Sequence, residues 1–173
     1  ILMKTICVYA ASSDRMPLVF KEEARKLGEL LGARGHGLVY GAGGIGLMGI
    51  VARAAKDRGA RVVGVIPEKL RDVELAWKGA DELIVTTSMH ERKSEMEALA
   101  DAFIVFPGGF GTLDEAAEVL VLRQLQYHHK PIVFLNIAGI FDHLLAYFDT
   151  LRDLGFAHED LSGIYAVATT VED

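Results

Sequence analysis

The chain has 173 residues and a single cysteine, Cys7, which lies inside the strand-like run Thr5 to Ala10. One cysteine excludes an intramolecular disulfide, suits a reducing cytoplasm, and in this apolar setting reads as a buried, inert thiol. Runs of basic residues are also missing. The net charge is -6 and the pI about 5.5, which gives no support to nucleic-acid or anionic-membrane binding. No apolar stretch approaches the roughly 20 residues of a membrane span, and no signal-peptide pattern is present, so a cytoplasmic protein is expected. The six histidines lack metal-ligand spacing: His128 and His129 are adjacent, while His90, His143 and His158 are scattered. Neither a metal nor a cofactor is expected. No Ser-His-Asp spacing or nucleophile elbow stands out.

What the sequence does have is an apolar content of 51%, enough for one domain with a sizeable core. With Ile1 and Leu2 set aside before Met3, residues 3–173 read as a single α/β domain. Short β-branched runs (Thr5 to Ala10, Leu38 to Tyr40, Arg61 to Ile66, Glu82 to Thr86, Ala102 to Phe106, Ile132 to Leu135) alternate with helical patterns near 17–34, 46–58, 88–99, 112–127 and 139–154. A last strand is expected near Tyr165 to Ala168. The alternation predicts a doubly wound, Rossmann-like three-layer fold around a parallel sheet. Such sheets bind ligands outside the carboxyl ends of their strands. The loops 11–16, 41–46, 67–77, 87–92 and 107–112 are therefore expected to share one crevice.

The most informative stretch is Pro107-Gly108-Gly109-Phe110-Gly111-Thr112-Leu113-Asp114-Glu115, where an apolar run passes through a glycine-rich turn into a helix. Backbone N–H groups and the positive end of the helix dipole make such a turn an anion site, and glycines let the backbone come close to a phosphate. No Lys follows Gly111, so this is not a Walker A loop. Gly41-Ala42-Gly43-Gly44-Ile45-Gly46 matches the dinucleotide fingerprint, but it occupies the second strand-helix turn and lacks a well-placed acid about 20 residues on. Its glycines serve either a tight turn and close helix packing or a wall of the ligand pocket.

Ser88-Met89-His90-Glu91 fits a capping box, with Ser88 as N-cap and Glu91 reaching back to it. Arg92 and Lys93 then flank the apolar stripe of Met89, Met96 and Ala100. Two cations beside a core-facing stripe either snorkel to water or meet an anion. Thr112 to Glu115 forms a second capping box, so the pattern leaves Glu115 as either a structural cap or a carboxylate placed beside the phosphate turn. In the same helix, Leu113, Ala117 and Leu120 are expected to cover the sheet. Val119 and Leu122 stand away from that face, toward a neighbouring helix of this chain or a second subunit.

The nine-residue turn, together with Met89-His90-Glu91-Arg92-Lys93, Val8 to Ser13, Gly41 to Gly49 and His128-His129-Lys130-Pro131, resembles the LOG family of cytokinin riboside 5'-monophosphate phosphoribohydrolases, often labelled lysine decarboxylases. The resemblance implies a homodimer that cleaves the N-glycosidic bond of a purine or cytokinin nucleoside 5'-monophosphate. By resemblance Arg92 and Glu115 are catalytic, and Lys93 and Glu74 contact substrate. Gly108, Gly109, Phe110, Gly111 and Thr112 would hold the phosphate, with Pro107, Ser13, Gly43, Gly44 and Met89 as further substrate-binding residues. The family often carries Thr where Val121 stands. Lysine decarboxylation would need a Schiff-base lysine, and Lys93 is the only one in a suggestive place. A non-catalytic nucleotide carrier similar to molybdenum cofactor carrier proteins is the alternative, and it would need neither Arg92 nor Glu115.

Overall fold

The computed structural model describes residues 2–71, 73, 75–157 and 160–173. Among them the strands β1 (Thr5–Tyr9), β2 (Gly37–Tyr40), β3 (Val62–Pro67), β4 (Glu82–Thr86), β5 (Ala102–Val105), β6 (Ile132–Leu135) and β7 (Ala166–Ala168) form one parallel sheet in the order β4-β3-β2-β1-β5-β6-β7. The helices are α1 (Leu18–Ala33), α2 (Gly46–Asp57), α3 (Glu68–Arg71), α4 (Met89–Leu99), α5 (Phe110–Gln124) and α6 (Asp142–Asp153). The short α3 is not visible in the hydrophobic pattern, because four residues make barely one turn and bury nothing.

Alternation along the strands sends successive side chains to opposite faces. Val8, Leu38, Tyr40 and Val62 meet Ala24, Leu27 and Leu31 of α1 and Leu47, Val51 and Ala55 of α2. Cys7, Tyr9, Val39, Phe103 and Phe134 meet Met96 of α4, Ala116 and Val119 of α5, and Leu144 and Phe148 of α6. Both faces are covered, which makes the expected three layers, and each fully buried Phe or Leu contributes roughly 1.5–3 kcal/mol. Phe134 is ringed edge-on by Phe141, Phe148 and Tyr165 at centroid distances of 5.4, 6.0 and 5.4 Å.

The sheet-facing side of α5 differs from expectation. The helix begins at Phe110, and it buries Thr112, Ala116 and Val119. Leu113 is 40% exposed and Val121 50%, while Val119, expected to face outward, is core. The large rings of Tyr9, Phe103 and Phe134 already fill much of the space above the sheet, so the helix sets Thr112, Ala116 and Val119 there with Leu120 at the edge, and turns Leu113 and Val121 outward.

The chain leaves β1 toward β2 on one side and returns to β5 on the other. The sheet therefore changes direction between β1 and β5, and the loops beyond their carboxyl ends diverge around a crevice.

Candidate functional site

Hydrogen bonds tie the exits of β1 and β5 together. Phe106 N–H donates to the Tyr9 carbonyl at 2.9 Å and Ala11 N–H to that of Pro107 at 3.1 Å, while Met48 N–H reaches the Ala11 carbonyl at 3.1 Å. Beyond these bonds lies a cavity of about 260 Å³. Its wall comprises Ala10, Ala11, Ser12 and Ser13 after β1, Met48 of α2, Met89 and Arg92 of α4, and Gly109, Phe110, Gly111, Thr112 and Glu115 of α5. The loops after β1, β4 and β5 thus meet as expected. The described residues of the loop after β3 do not line this cavity; Leu75 to Lys78 border a separate one with Arg71, Ala80 and Leu83.

Gly109 is the N-cap of α5, and no side chain caps this helix among the described residues. The first N–H groups of a helix have no partner within it, so Phe110, Gly111 and Thr112 present donors where the cavity lies. A Cβ at Gly109 or Gly111 would meet no protein atom within 4 Å. The space beside the turn is therefore open to a ligand. Gly108 has a different reason for being glycine: a Cβ there would overlap the Thr112 hydroxyl, which packs against it. The Pro107 carbonyl is taken by Ala11.

Because the helix starts at Phe110, Thr112 sits at its third position and Glu115 at its sixth. The capping box expected from Thr112 to Glu115 is not formed, since the reciprocal bond needs the carboxylate at the third position. Glu115 is half-buried on the cavity wall. Its charge is felt at the end of β1, where burial, reinforced by Glu115, pushes the Tyr9 hydroxyl and the Cys7 thiol well above their ordinary pKa values.

The box at the head of α4 does form, displaced by one residue. Ser88 Oγ accepts from Glu91 N–H at 3.1 Å, but the Glu91 carboxylate reaches Thr87, whose N–H and hydroxyl both donate at 2.6 Å, rather than Ser88. This cap orients the first turn of α4 and with it Arg92, which is 3% exposed. Arg92 Nε donates to the Val65 carbonyl at 3.0 Å and Nη2 to the Gly41 carbonyl at 2.7 Å. Strand-end carbonyls offset the cost of burying a guanidinium. Gly41 must be glycine for this, since a Cβ there would collide with Nη2. The sequence gives a signal for the arrangement, a glycine directly after β2, but nothing in the spacing links it to a residue on α4.

Lys93 turns away from the cavity to pair with Asp114 at 3.0 Å and with Glu118 of α5. The hydrogen bond to Glu118 pushes its pKa up, so the amine is held as ammonium. Gly43 bridges Ala76, and Gly44 N–H donates to the Leu75 carbonyl at 3.1 Å while its own carbonyl accepts from Arg53 at 2.5 Å. The polar groups of that glycine turn thus fasten the loop after α3, and from this segment Met48 alone lines the cavity. Val121 lies in an apolar groove between α5 and α6, outside the cavity. Glu74 lies outside the described residues.

Among the described residues, no group of three or more His, Cys, Asp or Glu side chains could hold a metal ion, and no helix is long and apolar enough to cross a membrane.

Residues 48–173 match the family described as "Possible lysine decarboxylase". The chain is 42% identical over 170 residues to the cytokinin riboside 5'-monophosphate phosphoribohydrolase LOG of Oryza sativa subsp. japonica, covering 98% of this chain and 70% of the relative. It is 41% identical over 153 residues to a cytokinin riboside 5'-monophosphate phosphoribohydrolase of Arabidopsis thaliana, covering 88% and 72%. Among solved structures, the molybdenum cofactor carrier protein of Chlamydomonas reinhardtii shares the fold with a TM-score of 0.76 and 22% identity, over 99% of this chain and 92% of that one.

Proposed function

The chain belongs to the LOG family of cytokinin riboside 5'-monophosphate phosphoribohydrolases, and on that premise we propose that it hydrolyses the N-glycosidic bond of a purine or cytokinin nucleoside 5'-monophosphate, giving free base and ribose 5-phosphate. The observation that carries this reading is the meeting of Arg92, Glu115 and the Gly109 to Thr112 turn on one cavity at the switch point of the sheet.

The 5'-phosphate sits against the N–H groups of Phe110, Gly111 and Thr112. Ribose then lies beside Glu115. Cleavage passes through an oxocarbenium-like state, in which positive charge grows on the sugar and an adjacent carboxylate stabilises it. Glu115 also takes the proton of the attacking water as its oxygen bonds to the anomeric carbon. The base leaves with the electron pair of the broken C–N bond and takes a proton from solvent, while Glu115 returns to solvent the proton it took from the water. Arg92, fixed by two carbonyls, positions the nucleotide and supports negative charge on the departing side. Lys93 acts one step removed, by clamping α4 to α5 through Asp114 and Glu118.

The family description suggests lysine decarboxylation, which would use pyridoxal phosphate on a lysine. Lys93 does not fit that group: it points away from the cavity, and its ion pairs hold the amine protonated when a Schiff base requires it neutral.

The reading extends to an AMP nucleosidase activity, a homodimer, a cytoplasmic setting and a single domain over residues 3–173. Leu113, Val121 and Leu125 support the dimer, since they leave an apolar strip along α5 and its C-cap 40%, 50% and 61% exposed. A carrier on the same fold needs a phosphate turn but no buried arginine facing a carboxylate. Incubating the protein with AMP and with isopentenyladenosine monophosphate and watching for free base tests the proposal. Release of base from either supports hydrolysis, and tight binding without release would favour the carrier.

A further inference from the structure

Phe110 is the first residue of α5 and is 92% exposed, more than any other large apolar side chain of the described chain. An aromatic ring so placed gains nothing from folding. Its position is nevertheless specific, since it borders the cavity that holds Arg92 and Glu115, and it is the only aromatic residue among the described residues that line it. Met48 and Met89 lie on the same wall. A nucleobase needs a flat apolar surface, and thioethers make favourable contacts with ring edges and faces. Gly109 and Gly111 flank the ring, and neither offers a side chain that would obstruct it.

We propose that Phe110 is the platform on which the base of the bound nucleotide stacks, with Met89 and Met48 lining the same cavity, and that it sets how strongly the site selects nucleotides over sugar phosphates. This rests on the hydrolase reading above. The ring projects from the first of the three residues whose N–H groups hold phosphate, so side chain and backbone of one turn grip base and phosphate at the two ends of the ribose while the glycosidic bond faces Glu115. Stacking of this kind tolerates different bases, because every base has a π-face.

The test is calorimetric binding of AMP and of ribose 5-phosphate to protein carrying Glu115→Gln, which prevents turnover, with and without Phe110→Ala or Phe110→Tyr. AMP affinity should fall about ten- to a hundredfold in the Ala variant and be kept in the Tyr variant, with ribose 5-phosphate binding unchanged in both. An equal loss for both ligands would place Phe110 with the phosphate turn instead and overturn the proposal. Unchanged AMP affinity with a dimer that dissociates on sizing would overturn it too, by showing that the ring is covered by a second copy. If the protein with an intact Phe110 binds neither ligand, the hydrolase reading itself fails; if that protein binds AMP and the Ala variant binds it equally well, the platform alone fails.

Discussion

Arg92 Nη2 lies 2.7 Å from the carbonyl oxygen of Gly41, a contact that joins residues 51 positions apart and anchors the cation of α4 to the carboxyl end of β2. The contact exists because Gly41 has no side chain. It turns a glycine that sequence alone assigns to a tight turn or a pocket wall into a support for the candidate catalytic arginine.

Gly41→Ala should therefore push Arg92 aside and lower kcat/KM by about ten- to a hundredfold, a barrier increase of roughly 1.4–2.8 kcal/mol, with the circular dichroism spectrum unchanged. Full activity in this variant would remove the positioning argument.

Glu115→Gln should stop base release while the melting temperature stays within about 1 °C of the parent, a change of roughly 0.5 kcal/mol or less. The amide can still fill a capping position but carries no charge. Activity within about tenfold of the parent, a barrier change near 1.4 kcal/mol, would return Glu115 to a structural role.

The protein should elute as a dimer by sizing with light scattering, and Val121→Glu should yield a monomer. A burial of charge in an apolar interface is costly enough to separate the subunits. A parent protein that is monomeric at micromolar concentration would contradict the interface assigned to Leu113, Val121 and Leu125.

His128 gives a pH dependence. Its Nδ1 accepts from Lys130 N–H at 3.2 Å and its Nε2 faces the Val119 carbonyl at 3.1 Å, so the ring is neutral, and burial holds its pKa below the ordinary value. The unfolded chain binds a proton near pH 6.5 that the folded chain resists. The stability this ring contributes is thus complete above about pH 6.5 and is lost as pH falls below it toward the folded value. Urea unfolding at pH 7.5 and 5.5 should show a larger acid loss in the parent than in His128→Phe, and equal losses would refute the assignment.

Much of this was legible in the sequence because the signals were local. The strands from Thr5 to Leu135, the switch-point crevice and the turn at Pro107 to Thr112 follow from alternation and glycine placement, and the fold is as expected. The errors arose where tertiary packing decides. Hydropathy places Leu113, Ala117 and Leu120 against the sheet; Leu120 does pack at the edge of that core, but Leu113 and Ala117 are exposed, and beneath Tyr9, Phe103 and Phe134 the helix buries Thr112, Ala116 and Val119 instead. The capping pattern at Thr112 failed because the glycine turn lets α5 begin two residues earlier. Lys93 faces α5 rather than the cavity because Asp114 and Glu118 supply nearer carboxylates, and no spacing rule within α4 could reveal residues on another helix.

The assignment of the Gly109 to Thr112 turn to phosphate is tested most directly by comparing kcat/KM for AMP and adenosine. Binding energy from the remote phosphate is used to hold ribose against Glu115 and Arg92, so removing it should cost catalytic efficiency and not merely affinity. The account predicts cleavage of the monophosphate with the riboside at least a hundredfold poorer, a difference of about 2.7 kcal/mol or more in transition-state stabilisation. Comparable kcat/KM for the two would show that the turn does not bind phosphate and would contradict the account.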